Sequence, residues 1–306
     1  MVGTDGSLPG APARHAGWRA VADPAAGVLH AGGRAVRGPV IDTHIHFWHP
    51  EQLHYFWLAD SEPLCRPFLP EALDAERRAA GVVAGIYVQA SHDPRENAWA
   101  LDLARRVGWI RGVVGWLDLT APLEKPADPL FKGVRHLTHA IPDRLWLRRA
   151  DVGHALDRLA EWNLSVDLVV RAEQLPEAER AIREHPGTTF ILDHLGNPPL
   201  EGDLTRWQDD LSSVAALPNV AVKLSGLLTH FTAPVDETRL AEAVRHGLNV
   251  FGPERVMYGG DWPVSTLKTP YLTTLDTLAR AAGPLADARL WWENACRYYR
   301  LDREPA

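Results

Sequence analysis

Short runs rich in β-branched residues alternate with amphipathic stretches from position 40 onward, and this alternation restricts the fold more than any other feature. A strand, a helix and a second strand form a parallel βα unit. Eight such units close into a barrel, so the pattern predicts an α/β fold of the (β/α)8 TIM-barrel type. The predicted strands are Val40–His46, Val82–Gln89, Gly112–Leu117, Gly133–His136, Val166–Val170, Phe190–His194, Val220–Leu224 and Val256–Gly259. The predicted helices include Glu71–Ala80, Glu96–Val107, Val152–Trp162, Glu177–His185 and Thr238–Phe251.

The connection between the third and fourth predicted strands breaks this pattern. Pro122, Pro126 and Pro129 leave little room for a helix, so the connection is either a loop or an imperfect repeat. An open doubly wound sheet is the alternative fold, but no Gly-x-Gly-x-x-Gly follows the first strand to support nucleotide binding. We therefore expect a barrel.

The first 38 residues differ from the rest because they are rich in Gly, Ala and Pro and show little periodicity. Such a composition favours a flexible or loosely packed N-terminal arm over a domain. We expect one barrel domain over residues 39–306.

Charge and cysteine content narrow the class of function. The net charge of -7 argues against nucleic acid or an anionic membrane as a partner. No run reaches the roughly 18 apolar residues of a membrane helix, and the N-terminus does not resemble a signal peptide. Cys65 and Cys296 lie far apart in sequence, which favours a reducing environment and a cytoplasmic protein.

Polar residues follow several predicted strands, at the end of a barrel where catalytic groups gather. His44 and His46 close the first strand, His194 the sixth, and Asp261 the eighth. Three imidazoles and a carboxylate suit one divalent ion, zinc being favoured, with a position left open for water. Asp261 is then the candidate base that accepts the proton of that water.

Other residues at the strand ends have a functional and a structural interpretation. Arg135 and Arg171 could hold a carboxylate or carbonyl oxygen of a substrate, or pair with interior acids. Trp48, Trp57 and Trp262 could form flat walls against a ring, although packing alone explains any one of them. Gln89 and His136 also end predicted strands and are candidate substrate-binding residues.

The sequence leaves open the roles of three charged residues in the predicted strands. Asp42 shares a face with His44 and His46 in a regular strand, so it either orients one of them or lies in the barrel interior. Asp193 precedes His194 and is expected to face the helices. Lys223 is expected to be an interior cation or a partner of Asp261.

Six motifs together resemble a known superfamily. They are Ile41–Trp48, Gly133–His136, Asp167–Arg171, Leu192–Gly196, Lys223–Gly226 and Tyr258–Pro263. In this order they are similar to the amidohydrolase superfamily, in the branch of TIM-barrel lactonases that includes enzymes acting on L-fuconolactone, L-rhamnonolactone and 2-pyrone-4,6-dicarboxylate. The resemblance runs from about Pro39 to Leu301.

This resemblance implies hydrolysis of a lactone ring, with Asp261 activating water and Arg135 and His136 near the substrate. Two departures matter. Arg135 and His136 stand where many members have a metal-bridging carboxylated lysine, and no histidine ends the fifth strand. These departures favour at most one ion, which is weakly held or optional.

The leading hypothesis is a lactonase that opens a small-molecule sugar-acid lactone. One alternative is a metal-independent lactonase for an aromatic-derived dicarboxylate lactone, with Arg135, Arg171 and Lys223 as its cations. A related decarboxylase and an inactive ligand-binding barrel are further alternatives.

Overall fold

The computed structural model describes residues 28–29, 35–36, 39–58, 62–232 and 234–302. Most of the predicted N-terminal arm therefore lies outside the described residues. Two strands of two residues each, Val28–Leu29 and Ala35–Val36, pair antiparallel within it.

Eight parallel strands form one sheet in chain order, which confirms the predicted architecture. Each strand is almost wholly buried, as expected when helices cover the outside of a parallel sheet. The strands are β1 (Val40–Ile45), β2 (Val82–Val88), β3 (Ile110–Gly115), β4 (Phe131–His136), β5 (Ser165–Leu168), β6 (Phe190–Leu192), β7 (Val220–Leu224) and β8 (Val256–Tyr258).

The sheet closes between its first and last strands through two backbone hydrogen bonds. The Asp261 amide donates to the His44 carbonyl, and the His46 amide donates to the Trp262 carbonyl, both at 2.8 Å. These bonds lie just beyond the end of β8, so closure places Asp261 beside the two histidines of β1.

Helices connect the strands in all but one of the crossovers. Between β3 and β4, residues 116–130 contain no helix, as their prolines predict. The helices are α1 (Pro70–Ala79), α2 (Arg95–Val107), α3 (Ala150–Glu161), α4 (Leu175–Glu184), α5 (Thr205–Ala215), α6 (Glu237–Phe251), α7 (Tyr271–Ala282) and α8 (Asn294–Tyr298).

Apolar clusters lie on both sides of the strands. A large outer core packs the strands against the helices, while a smaller cluster fills the barrel itself. The interior cluster includes Ile41, Ile86 and Met257, and the C-terminal residues Cys296 and Tyr299 belong to it. The C-terminal segment therefore plugs the interior of the barrel below the strand ends. No helix among the described residues is long and apolar enough to cross a membrane.

Candidate active site

His44, His46 and Asp261 meet at the C-terminal mouth of the barrel, as predicted. The Asp261 Oδ1 atom lies 3.3 Å from His46 Nε2 and 3.7 Å from His44 Nε2. The rings of His44 and His46 are 4.8 Å apart and almost perpendicular. All three side chains are buried, so the cluster forms a desolvated group of potential ligands.

His194 joins this cluster through His44 rather than through Asp261. The two imidazole centroids are 4.7 Å apart, and His44, Asp193 and His194 form a second group of converging ligand atoms. The four predicted ligands thus divide into two overlapping groups that share His44.

The backbone after β6 explains how His194 reaches the mouth. His194 and Leu195 have positive φ angles of 55° and 51°, which turn the chain sharply after Asp193. The ring is then held by a 2.8 Å hydrogen bond between His194 Nδ1 and Ser225 Oγ. A Cβ on Gly226 would lie 2.6 Å from the same Nδ1 atom, so this ring position requires glycine there.

The turn also shows that the expectation for Asp193 is wrong. Its side chain is fully buried inside the barrel, with Oδ1 3.3 Å from His44 Nδ1 and 3.1 Å from Lys223 Nζ. Ile191 belongs to the interior cluster, so alternation along β6 already directs Asp193 inward. It is His194 that departs from the strand geometry.

Asp42 does not share a face with the histidines either. The register of β1 against β2 shifts between Asp42 and Ile45, which changes the side that successive residues face. Asp42 accepts hydrogen bonds from the Tyr271 hydroxyl of α7 at 2.7 Å and from the amides of His44 and Gly260. It fixes the backbone of the site and contacts neither imidazole ring by hydrogen bonding.

Lys223 is an interior cation, but its partners are Asp167 and Asp193 rather than Asp261. Its Nζ atom lies 2.5 Å from Asp167 Oδ2 and 3.1 Å from Asp193 Oδ1, and none of these side chains is exposed. Burial alone would raise the pKa of Asp193, but the charge of Lys223 and then the contact with His44 hold it well below its usual range. Asp193 is therefore a carboxylate.

The predicted substrate-binding residues differ in where they lie. Arg135 is at the mouth: its NH1 atom is 3.4 Å from His44 Nε2. Gln89 accepts a hydrogen bond from Arg135 and donates one to its carbonyl, so it supports this arginine. His136 contacts the Leu117 carbonyl and lies beside Trp146. Arg171 is exposed, outside the cluster.

The tryptophans proposed as walls belong largely to the protein core. Trp48 has no exposed surface, and its Nε1 donates to the carbonyls of Leu64 and Arg66. Trp262 is 3% exposed and packs against Phe47 and Phe68. The half-buried Trp57 donates to the Ala90 carbonyl at 2.6 Å. Packing thus accounts for the positions of Trp48 and Trp262, and their contact with a substrate stays a prediction.

Protonation states at the mouth suit ligand chemistry. Burial lowers the pKa of His44, His46 and His194, so the rings are neutral near pH 7. Burial alone would raise the pKa of Asp261, but its contact with His46 and the nearby His194 and His44 hold it at about 2. The mouth presents neutral imidazoles around an ionised carboxylate.

The contact between His46 and Asp261 indicates that a cation fits here. His46 Nδ1 lies 2.8 Å from the Val88 carbonyl, which can only accept, so that nitrogen carries the hydrogen. The neutral ring then directs its Nε2 lone pair toward Asp261 Oδ1, 3.3 Å away. Two acceptors this close are stabilised by a cation or a shared proton between them.

The fold and this His/Asp cluster define a TIM-barrel protein with a potential metal centre at the catalytic end of its strands. Residues 41–301 match the model of the Amidohydrolase family. The chain belongs to this family.

Two curated relatives resemble the chain over nearly their whole length. An L-fucono-1,5-lactonase of Burkholderia multivorans is 34% identical, over 87% of this chain and 97% of the relative. An L-fucono-1,5-lactonase of Burkholderia ambifaria is 32% identical, over 86% of this chain and 96% of the relative. A crystal structure of a Burkholderia multivorans amidohydrolase with bound zinc superimposes with a TM-score of 0.82 at 33% identity, covering 87% of this chain and all of the other.

Proposed function

We propose that this protein is a lactonase that hydrolyses the ring ester of a sugar-acid lactone. The observation that carries the proposal is the convergence of His44, His46 and the ionised Asp261 at the barrel mouth. The two L-fucono-1,5-lactonase relatives support a sugar-acid lactone as the substrate.

In this proposal Asp261 is the general base. Its carboxylate accepts a proton from the attacking water, whose oxygen bonds to the lactone carbonyl carbon. The bond from that carbon to the ring oxygen then breaks, the ring oxygen takes up the proton held by Asp261, and the product is an open hydroxy acid. His194, held by Ser225, orients the water or the substrate.

Arg135 is the proposed partner of the carbonyl oxygen. It is 4% exposed and adjoins His44, and its Nε atom is buried without a hydrogen-bond partner. A fixed guanidinium stabilises the negative charge that develops on the carbonyl oxygen. His136, Gln89 and Trp57 complete the proposed surroundings of the substrate.

One divalent ion fits beside Asp261, with zinc favoured because neutral imidazoles and a carboxylate suit it. His44, His46 and Asp261 would hold it, and His194 lies next to His44. When bound, the ion would lower the pKa of a coordinated water and polarise the carbonyl.

The cations near the mouth favour a sugar lactone over a dicarboxylate. Lys223 is fully buried and paired with Asp167 and Asp193, so its charge is already neutralised. Arg171 is exposed outside the cluster, and Lys223 contacts His44 from within the barrel, so Arg135 is the one of these three cations that lies at the mouth with an unpartnered N–H. One available guanidinium suits a substrate with a single carbonyl to hold.

A substrate panel tests the proposal. Sugar lactones, including L-fucono-1,5-lactone, would be compared with 2-pyrone-4,6-dicarboxylate and muconolactone by following acid release with a pH indicator. We expect kcat/KM to be highest for a sugar lactone. Faster hydrolysis of the dicarboxylate would overturn the substrate class, and no turnover of any lactone would overturn the reaction.

A further inference from the structure

The second ligand group, His44, Asp193 and His194, already surrounds a cation of the protein itself. The ligand atoms that converge there include His44 Nδ1 and Asp193 Oδ1, which are 3.3 Å apart. Lys223 Nζ lies 3.2 Å from the first atom and 3.1 Å from the second. The ammonium is therefore held by atoms that a metal ion in this group would need.

Three polar atoms surround Lys223 in this position. Its ammonium donates to Asp167 Oδ2, and Asp193 Oδ1 and His44 Nδ1 lie 3.1 Å and 3.2 Å away. Tyr299 of the C-terminal plug donates to the same Asp167 oxygen at 2.9 Å. The ammonium is thus held by Asp167 of β5, which Tyr299 also contacts, and by Asp193 in the turn after β6.

We propose that Lys223 is a built-in cation that occupies the second ligand group and limits the centre to a single metal ion. A divalent ion bound to His44 Nδ1 and Asp193 would lie against the ammonium, and like charges repel strongly where water is excluded. Asp193 forms no hydrogen bond of its own in this buried position, so its charge is balanced by Lys223 and, at 3.9 Å, by Arg135. Replacing the lysine by a neutral side chain leaves Asp193 and His194 for a second ion, and His44 joins them by giving up its ring proton, because a neutral imidazole has only one lone pair.

This inference rests on the proposed function only for the ion in the first group. It predicts that wild type and Lys223→Met bind different numbers of zinc ions, and this number can be measured without any lactone.

Metal counting tests it directly. Wild type and Lys223→Met would be loaded with excess zinc, desalted and measured by mass spectrometry of the metal. We expect Lys223→Met to retain about one zinc per chain more than wild type. Equal zinc content in the two folded proteins would overturn the proposal, as would a second zinc in wild type.

Tyr299→Phe is the matched control. It removes a hydrogen bond from the same network but keeps the Lys223 ammonium, so its zinc content should equal that of wild type. A rise like that of Lys223→Met would show that loosening the network, rather than losing the charge, admits the ion, and would overturn the proposal.

Lys223→Met leaves two buried carboxylates short of a cation, so its stability without zinc will fall. Thermal unfolding with and without zinc therefore tests the proposal even where this variant is unstable without zinc. Zinc should raise the Tm of Lys223→Met more than that of wild type, because the second ion replaces the lost charge. An equal or smaller rise would contradict the proposal.

Discussion

The Nε2 atom of His46 and the Oδ1 atom of Asp261 lie 3.3 Å apart, although the two residues follow the first and the last strand of the barrel. Barrel closure produces this contact, since the His46 amide donates to Trp262 and the Asp261 amide donates to His44. The backbone bonds that complete the fold therefore also assemble the site.

Substitution of Gly226 tests whether the position of the His194 ring matters for catalysis. Its φ is +67°, and a Cβ there would lie 2.6 Å from His194 Nδ1. We expect Gly226→Ala to lower lactone turnover by about 10²-fold, because a displacement near 1 Å is enough for such a loss. Steady-state kinetics on the best substrate of the panel would measure it.

Gly108→Ala is the matched control for backbone strain. Gly108 has a φ of +72° in the same left-handed region as Gly226, but nothing lies within 4 Å of an added Cβ. Both alanine variants should lose about 1 kcal/mol of stability, and only Gly226→Ala should lose turnover. Equal turnover in the two variants would show that the His194 ring position is not critical.

Trp48 should behave as a structural residue. Trp48→Phe removes an indole N–H that satisfies the carbonyls of Leu64 and Arg66 in the core. We expect a loss of about 1–3 kcal/mol in the free energy of unfolding, measured by urea denaturation, with little change in KM. A large rise in KM at unchanged stability would instead place this ring against the substrate.

The buried side chain of Glu96 makes the free energy of unfolding depend on pH. Burial raises its pKa to about 7, even though the Tyr87 hydroxyl and the amides of Ala90 and Ser91 donate to it. The folded protein therefore binds this proton more tightly than the unfolded chain, whose pKa is near 4.5. The stability contributed by the protonated form is lost as pH rises from about 4.5 to about 7, by about 3 kcal/mol.

Glu96→Gln isolates this effect because glutamine does not titrate. The difference in free energy of unfolding between wild type and Glu96→Gln should shift by about 3 kcal/mol against wild type between pH 4 and pH 8. Urea denaturation across that range would measure it. A constant difference would mean that Glu96 has the same pKa in both states.

Local patterns were sufficient to predict the barrel but not the facing of every side chain in it. All eight strands were found from β-branched runs, because a strand buried on both faces is apolar along its length. Asp42 was misplaced because a register shift within β1 changes the alternation, and no residue type marks that shift.

Local patterns likewise predict part of the candidate site but not all of it. His44, His46 and Asp261 follow from strand ends alone. Asp193 was misassigned because the left-handed turn at His194 was not foreseen, although Ile191 gave the correct alternation. The partners of Lys223 come from β5 and from the turn after β6, and pairing across strands depends on barrel register, which the sequence does not state.

Asp261 is the proposed base of a lactonase, and Asp261→Asn removes the carboxylate that would accept the proton of the water. Asparagine removes the charge while tolerating the φ of +53° found here. With the best sugar lactone as substrate, we predict that kcat falls by about 10²–10⁴-fold while the variant still unfolds cooperatively. Hydrolysis at the wild-type rate by folded Asp261→Asn would show that Asp261 is not the base.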